Sequence, residues 1–168
     1  MEFARRAADP PFPAHVRLLG RPRPLRAPRA MPYADRRRIL QVLAAAAAKL
    51  DAEQAAGLLV PADLAYLGAL THFVFGHGRS GQMRGGFIVG LADVRASRDL
   101  EYWTGALVHD GVHAHRQARA RRWLDEIGPC DAQLDYLRRT GARAELIEGV
   151  RRFRDSRARQ QARRRQAA

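Results

Sequence analysis

Leu107-Val108-His109-Asp110-Gly111-Val112-His113 carries two histidines four residues apart, with an acid directly after the first. On a helix, His109 and His113 lie one turn apart on a shared face, so both imidazoles can reach a single metal ion. A metal that polarises a carbonyl and acidifies water needs a nearby base to take the proton as water attacks. Asp110 has the chemistry and the position for that role. Gly111 is discordant, because glycine costs about 1 kcal/mol relative to alanine inside a helix. A close approach by another backbone would account for it. Spacing alone also allows both histidines to be hydrogen-bonded core residues. His115 falls off the shared face, His72 and His77 read as helix-end and loop residues, and Trp103 and Trp123 read as packing residues.

The elements around this segment follow from apolar periodicity and from breakers. An Ala-rich helix is expected from Ile39 to Leu58, with Leu40, Leu43 and Leu50 as its apolar stripe. Pro61 ends it. Asp63 caps a second helix that buries Leu64, Leu67, Leu70 and Phe73, and the run 76–81 closes that helix as a loop. Gly86-Phe87-Ile88-Val89-Gly90-Leu91 is the one clear strand signal, short, apolar and bounded by glycine. Ser97 is the expected N-cap of the motif helix, with Asp99 and Glu101 suiting its positive end. Gly128-Pro129 is expected to stop that helix. A further helix from Cys130 to Arg139 places Cys130, Leu134 and Leu137 on one face, and a last helix from Ala144 frays into the tail.

The chain has 168 residues and a formal charge of +13, which would ordinarily suggest a nucleic-acid or acidic-membrane partner. The charge is carried by the ends. Residues 1–38 hold ten Arg against three acids and residues 141–168 nine Arg against three, whereas 39–140 balance eleven basic against eleven acidic residues. A neutral middle domain offers no basic stripe to a phosphate backbone, so nucleic acid is a candidate partner for the tails only. Seven of the nine prolines lie in residues 1–32, which read as a disordered Pro/Arg-rich arm. The folded domain is expected over 33–150 and a basic tail over 151–168. The solitary Cys130 excludes an intramolecular disulfide and a cysteine-based zinc cluster. No stretch approaches the roughly 18 apolar residues of a membrane span. The N-terminal arginines precede no apolar h-region, so a cytoplasmic protein is expected.

The strand at 86–91, the HDGVH helix, a turn and a helix bearing an acid follow one another as in zincin-like peptidases. The text EYWTGALVHDGVHAHRQ, followed by CDAQLDYLRRTGA, resembles zincin-like domains with an HExxH or HDxxH motif, over about residues 64–150. The resemblance implies an α+β, mostly helical fold with a small sheet against the metal-site helix. It further implies zinc held by His109 and His113, Asp110 as general base, and a peptide or protein substrate. Asp131, the nearest acid on the following helix, is the third ligand it favours. An unbroken motif helix would carry Glu126 roughly 26 Å beyond His109 and Asp131 similarly far, whereas a hairpin turning at Gly128 would bring Glu145 level with the motif, so Asp131, Glu126 and Glu145 all stay open as the third ligand.

Two other classes share these residues. A His-Asp pair on a helix also serves HD-type metal-dependent phosphohydrolases, with His72 or His77 before it and Asp131 or Asp135 after it. Those domains are wholly helical and have no use for His113. A non-enzymatic helical binding module with arginine-rich tails rests on charge alone.

Overall fold

Apolar residues at helical spacing build the first long element. In helix α1 (Tyr33–Ala55), Ile39, Val42, Leu43, Ala46, Ala47 and Leu50 share one face and are all buried. The computed structural model describes residues 11–119 and 125–166. Helix α2 (Pro61–Ala69) starts on proline, whose fixed φ suits the first helical position. Asp63 acts three residues inside this helix: its carboxylate accepts the Val60 N–H at 3.0 Å. The same carboxylate pairs with Arg139.

Two expectations about the first half of the chain are overturned. Within the presumed arm, β1 (His15–Leu18) and β2 (Arg21–Arg26) form an antiparallel hairpin. Its signal is the alternation His-Val-Arg-Leu, which buries Val16 and Leu18 and exposes His15 and Arg17. Pro22 and Pro24 lie in the part of β2 that pairs with β1 alone; the parallel ladder to the next strand uses Leu25 and Arg26. The lost N–H groups are thus not needed there. Phe73 belongs to a strand, β3 (His72–Gly76), and not to α2. Aromatic and β-branched residues alternating as Phe-Val-Phe favour the pleated surface, and Phe73 and Phe75 point into the core.

Strands β4 (Gly81–Met83) and β5 (Gly86–Gly90) complete a sheet of order β1-β2-β3-β5-β4. The inner pairs β2–β3 and β3–β5 are parallel, and β4 runs antiparallel at the edge. Strand β5 is the strand expected at 86–91, except that Leu91 opens helix α3 (Leu91–Ala96). Phe87 and Val89 bury against the core. The architecture is therefore α+β and mostly helical. No helix among the described residues is long and apolar enough to cross a membrane.

Helix α4 (Leu100–Arg119) carries the motif. Asp99 caps it by accepting the Glu101 N–H at 3.0 Å, while Ser97, expected in that role, accepts the Asp99 N–H one step upstream. Trp103, Leu107, Val108 and Val112 are buried, and the Trp103 indole N–H donates to the Ser97 carbonyl at 3.1 Å. Helix α5 (Ile127–Arg139) buries Cys130, Leu134 and Leu137 on one face as expected. Gly128 and Pro129 do not stop α4; they form the first turn of α5, where backbone N–H groups have no helical partner to lose. The last element, α6 (Ala144–Gln166), continues as helix through the arginine-rich segment instead of fraying. Arg151 and Arg152 both pair with Glu148 along it.

Candidate metal centre

Helices α4 and α5 run antiparallel, which decides what meets the motif. Gln133 and Leu137 of α5 lie against Gly105, and Glu126, just before α5, lies against His109 and His113. A single carboxylate oxygen of Glu126, Oε2, is 3.3 Å from His109 Nε2 and 3.4 Å from His113 Nε2. Ligand atoms from these three residues all lie within 4.8 Å of one another. Charge-assisted hydrogen bonds close to about 2.7–2.9 Å. Two ligands about 2.05 Å from a tetrahedral zinc are instead separated by about 3.3 Å. The two Glu126–histidine separations match that spacing, and the donor set of two imidazoles and a carboxylate suits zinc.

The acid favoured by resemblance is elsewhere. Asp131 pairs with Arg154 of α6 at 2.9 Å, facing away from the histidines, because it lies one and a half turns along α5. Glu145 lines the cavity beside the motif but is not among the grouped ligands. The separation of roughly 26 Å expected for Glu126 holds only for an unbroken helix. Helix α4 is described as far as Arg119, and Asp125 lies back against it. An ion pair of 2.9 Å between Arg116 and Asp125 ties the returning chain to α4 one turn beyond His113. A signal for Glu126 was present: proline in a first helical turn marks a helix start, and Glu126 immediately precedes that turn.

Asp110 is 8% exposed and borders a cavity of about 580 Å³. Tyr102 and Ala106 lie along the same face of α4, Gln82 comes from the edge strand, Gln133 from α5, and Leu146, Val150 and Phe153 from α6. Burial pushes the Asp110 carboxyl up to about 6, with His109 and His113 pulling it down and Glu126 adding to the rise. The imidazoles of His109 and His113 beside it hold the Glu126 carboxyl well below the usual carboxylate range. One acid beside the histidines is thus strongly ionised while its neighbour is poised near neutrality, the separation of roles that acid–base chemistry uses. Tyr102, whose phenol burial pushes upward, was not singled out by sequence. Its place seven residues before His109 puts it on the motif face.

The other sequence candidates fall outside the group. His72 opens β3 and accepts or donates to the Thr71 hydroxyl at 2.9 Å, and His77 sits in the following turn. His115 stacks edge-on against Tyr66. Asp135 pairs with Arg138. The HD-type constellation, with His72 or His77 before the motif and Asp131 or Asp135 after it, is therefore not assembled. Burial pushes the Cys130 thiol up to about 12, so it is no thiolate donor. Trp123 lies outside the described residues. The buried Nδ1 of His109 has no partner among the described residues, a departure from the usual hydrogen-bonded metal histidine.

The raised Asp110 carboxyl has a stability consequence for the metal-free chain. Its ordinary value of 3.8 rises to about 6 on folding, so the folded form holds the proton more tightly. The stability this confers is complete below pH 4 and is lost as pH rises through 6. Asp110→Asn keeps the neutral form at every pH. In the presence of a chelator its urea midpoint should match the parent at pH 4 and exceed it at pH 7.5, by up to about 3 kcal/mol in free energy. Equal midpoints at both pH values would contradict this.

No protein-family model matches the chain, and no curated protein or solved structure is significantly similar to it, so the site is read from its own geometry.

Proposed function

We propose that this chain is a zinc-dependent hydrolase of the zincin-like kind, acting on peptide or amide bonds. The observation that carries the reading is the single Glu126 oxygen standing 3.3 and 3.4 Å from the two motif imidazoles. Two histidines and a glutamate, with a fourth position open to a cavity, are a recurring catalytic zinc set. Zinc in that set supplies a Lewis acid that polarises the scissile carbonyl and makes water a usable nucleophile near neutral pH.

The chain's own residues do the rest. Asp110, bordering the cavity beside the histidines, accepts the proton of the attacking water and returns it to the departing amine. The C–N bond breaks as the nitrogen gains that proton. Tyr102, one face along α4, offers a hydroxyl donor to the cavity. Strand β4 pairs with β5 on one side only and contributes Gly81 and Gln82 to the cavity wall. An extended peptide can add to such an edge by main-chain hydrogen bonds, which presents successive carbonyls to α4.

Mass spectrometry of tag-free protein tests the metal, alongside His109→Ala/His113→Ala. Near one zinc per chain, lost in the double variant, is expected. Cleavage of a peptide library by the parent, with Asp110→Asn as the inactive comparison, tests the reaction. No zinc in the parent after zinc is supplied overturns the reading.

A further inference from the structure

We propose that a second, smaller cavity beside the metal group is a carboxylate subsite, and that the substrate is a peptide carrying a negative charge next to the cleaved bond. The inference rests on the zinc reading above and adds a substrate class to it. This cavity, of about 240 Å³, has Arg157, Gln160, Gln161 and Arg164 of α6 on one side and His113 and Glu126 on the other. Two guanidinium forks and two carboxamides make a wall of hydrogen-bond donors, suited to an oxygen-rich anion. The metal ligands form its opposite wall, so an anion seated there lies one residue's reach from the reacting carbonyl.

Charge pairing divides α6 into a paired N-terminal part and a C-terminal part whose arginines pair with no carboxylate among the described residues. Arg151 and Arg152 are taken by Glu148, and Arg154 by Asp131 and Asp155. Among the described residues, Arg157, Arg159, Arg163, Arg164 and Arg165 pair with no carboxylate, and Arg157 and Arg164 are the two of these that line the cavity. Arg157 is nevertheless positioned: it donates to the Gln160 side-chain carbonyl at 3.1 Å and lies over the Phe153 ring at 4.9 Å. Phe153 also walls the larger cavity, so the two spaces share a partition. With zinc bound, Glu126 is committed to the ion, and the two guanidiniums are left to a ligand's charge. A concave space of this size takes one carboxylate and not a run of phosphates, which favours a peptide over a nucleic acid.

The test measures binding, by calorimetry on zinc-loaded protein, of dipeptide hydroxamates built on one scaffold. One probe has a free C-terminal carboxylate, a second has an aspartate side chain and an amidated C-terminus, and a third is neutral. Either charged probe should bind about tenfold tighter than the neutral one, and which of them does so identifies the source of the charge. Arg157→Gln/Arg164→Gln should abolish that preference while leaving zinc content and neutral-probe binding unchanged. Equal binding of all three probes overturns the subsite and leaves the metal reading standing. No binding by any probe overturns both. Displacement of every probe alike by a single-stranded 20-nucleotide DNA, without a charge preference among the probes, assigns the arginines to nucleic acid and overturns the subsite.

Discussion

Glu126→Gln should lower zinc affinity by more than 100-fold, while Asp131→Asn should leave it unchanged. Loss of a hydrogen-bonding partner outside the ligand set ordinarily costs roughly 10–100-fold in metal affinity, and removing a ligand costs more. Glutamine keeps the size of Glu126 but offers a neutral oxygen in place of the carboxylate that both imidazoles face at 3.3 and 3.4 Å. Asp131 is engaged with Arg154 on the opposite side of α5. Titration against a competing chelator measures the affinities directly. Thermal melts supply a second readout. Zinc at 100 times its dissociation constant stabilises the folded state by about 2.7 kcal/mol, or roughly 5–11 °C at this chain length. That shift should vanish in Glu126→Gln and persist in Asp131→Asn. The reverse pattern would move the third ligand to Asp131.

Gly111→Ala should destabilise the fold by about 3 kcal/mol, a fall of roughly 6–12 °C in melting temperature. A Cβ at residue 111 would stand 2.7 Å from the Tyr66 carbonyl oxygen and 2.8 Å from its carbon. Both are backbone atoms of α2 and cannot swing aside as a side chain tip would. Alanine gains about 1 kcal/mol in helix propensity over glycine, but separating two packed helices costs more, so the clash decides the sign. Gly68 of α2, around which a Cβ meets nothing within 4 Å, supplies the comparison. There the propensity gain is unopposed, and Gly68→Ala should hold or raise the melting temperature. Because α4 carries His109 and His113, the proposed zinc binding should also weaken in Gly111→Ala. A melting temperature at or above the parent's would show that α2 yields.

The motif helix, the glycine inside it and the strand before it were legible because each is a local signal. Gly111 reads as a close approach from its helix cost alone, and the Tyr66 backbone is what approaches. The apolar face Cys130, Leu134 and Leu137 follows from helical spacing in the same way. The place of Glu126 in the candidate group was not legible from local pattern, because Glu126 meets His109 only where α5 packs back against α4. Pro129 carried a helix start as well as a helix stop, and the second meaning was read. The hairpin at 15–26 was masked by prolines, whose weight as breakers hid the alternation that buries Val16 and Leu18. Phe73 fits a helical stripe because Leu64, Leu67 and Leu70 lead into it at spacing three and no glycine separates α2 from the strand that holds it.

Helix α6 spans 23 residues and buries none of their side chains, yet Leu146, Val150 and Phe153 wall the larger cavity. Its attachment therefore contributes only a small part of the free energy that holds the core together, and cooperativity should divide along that seam. Amide hydrogens of α6 should exchange with solvent through local opening, orders of magnitude faster than those of α4 around Leu107 and Val108, whose exchange follows unfolding of the whole domain. The most protected segment of the molecule would then hold the two histidines, and one of the least protected would face them across the larger cavity.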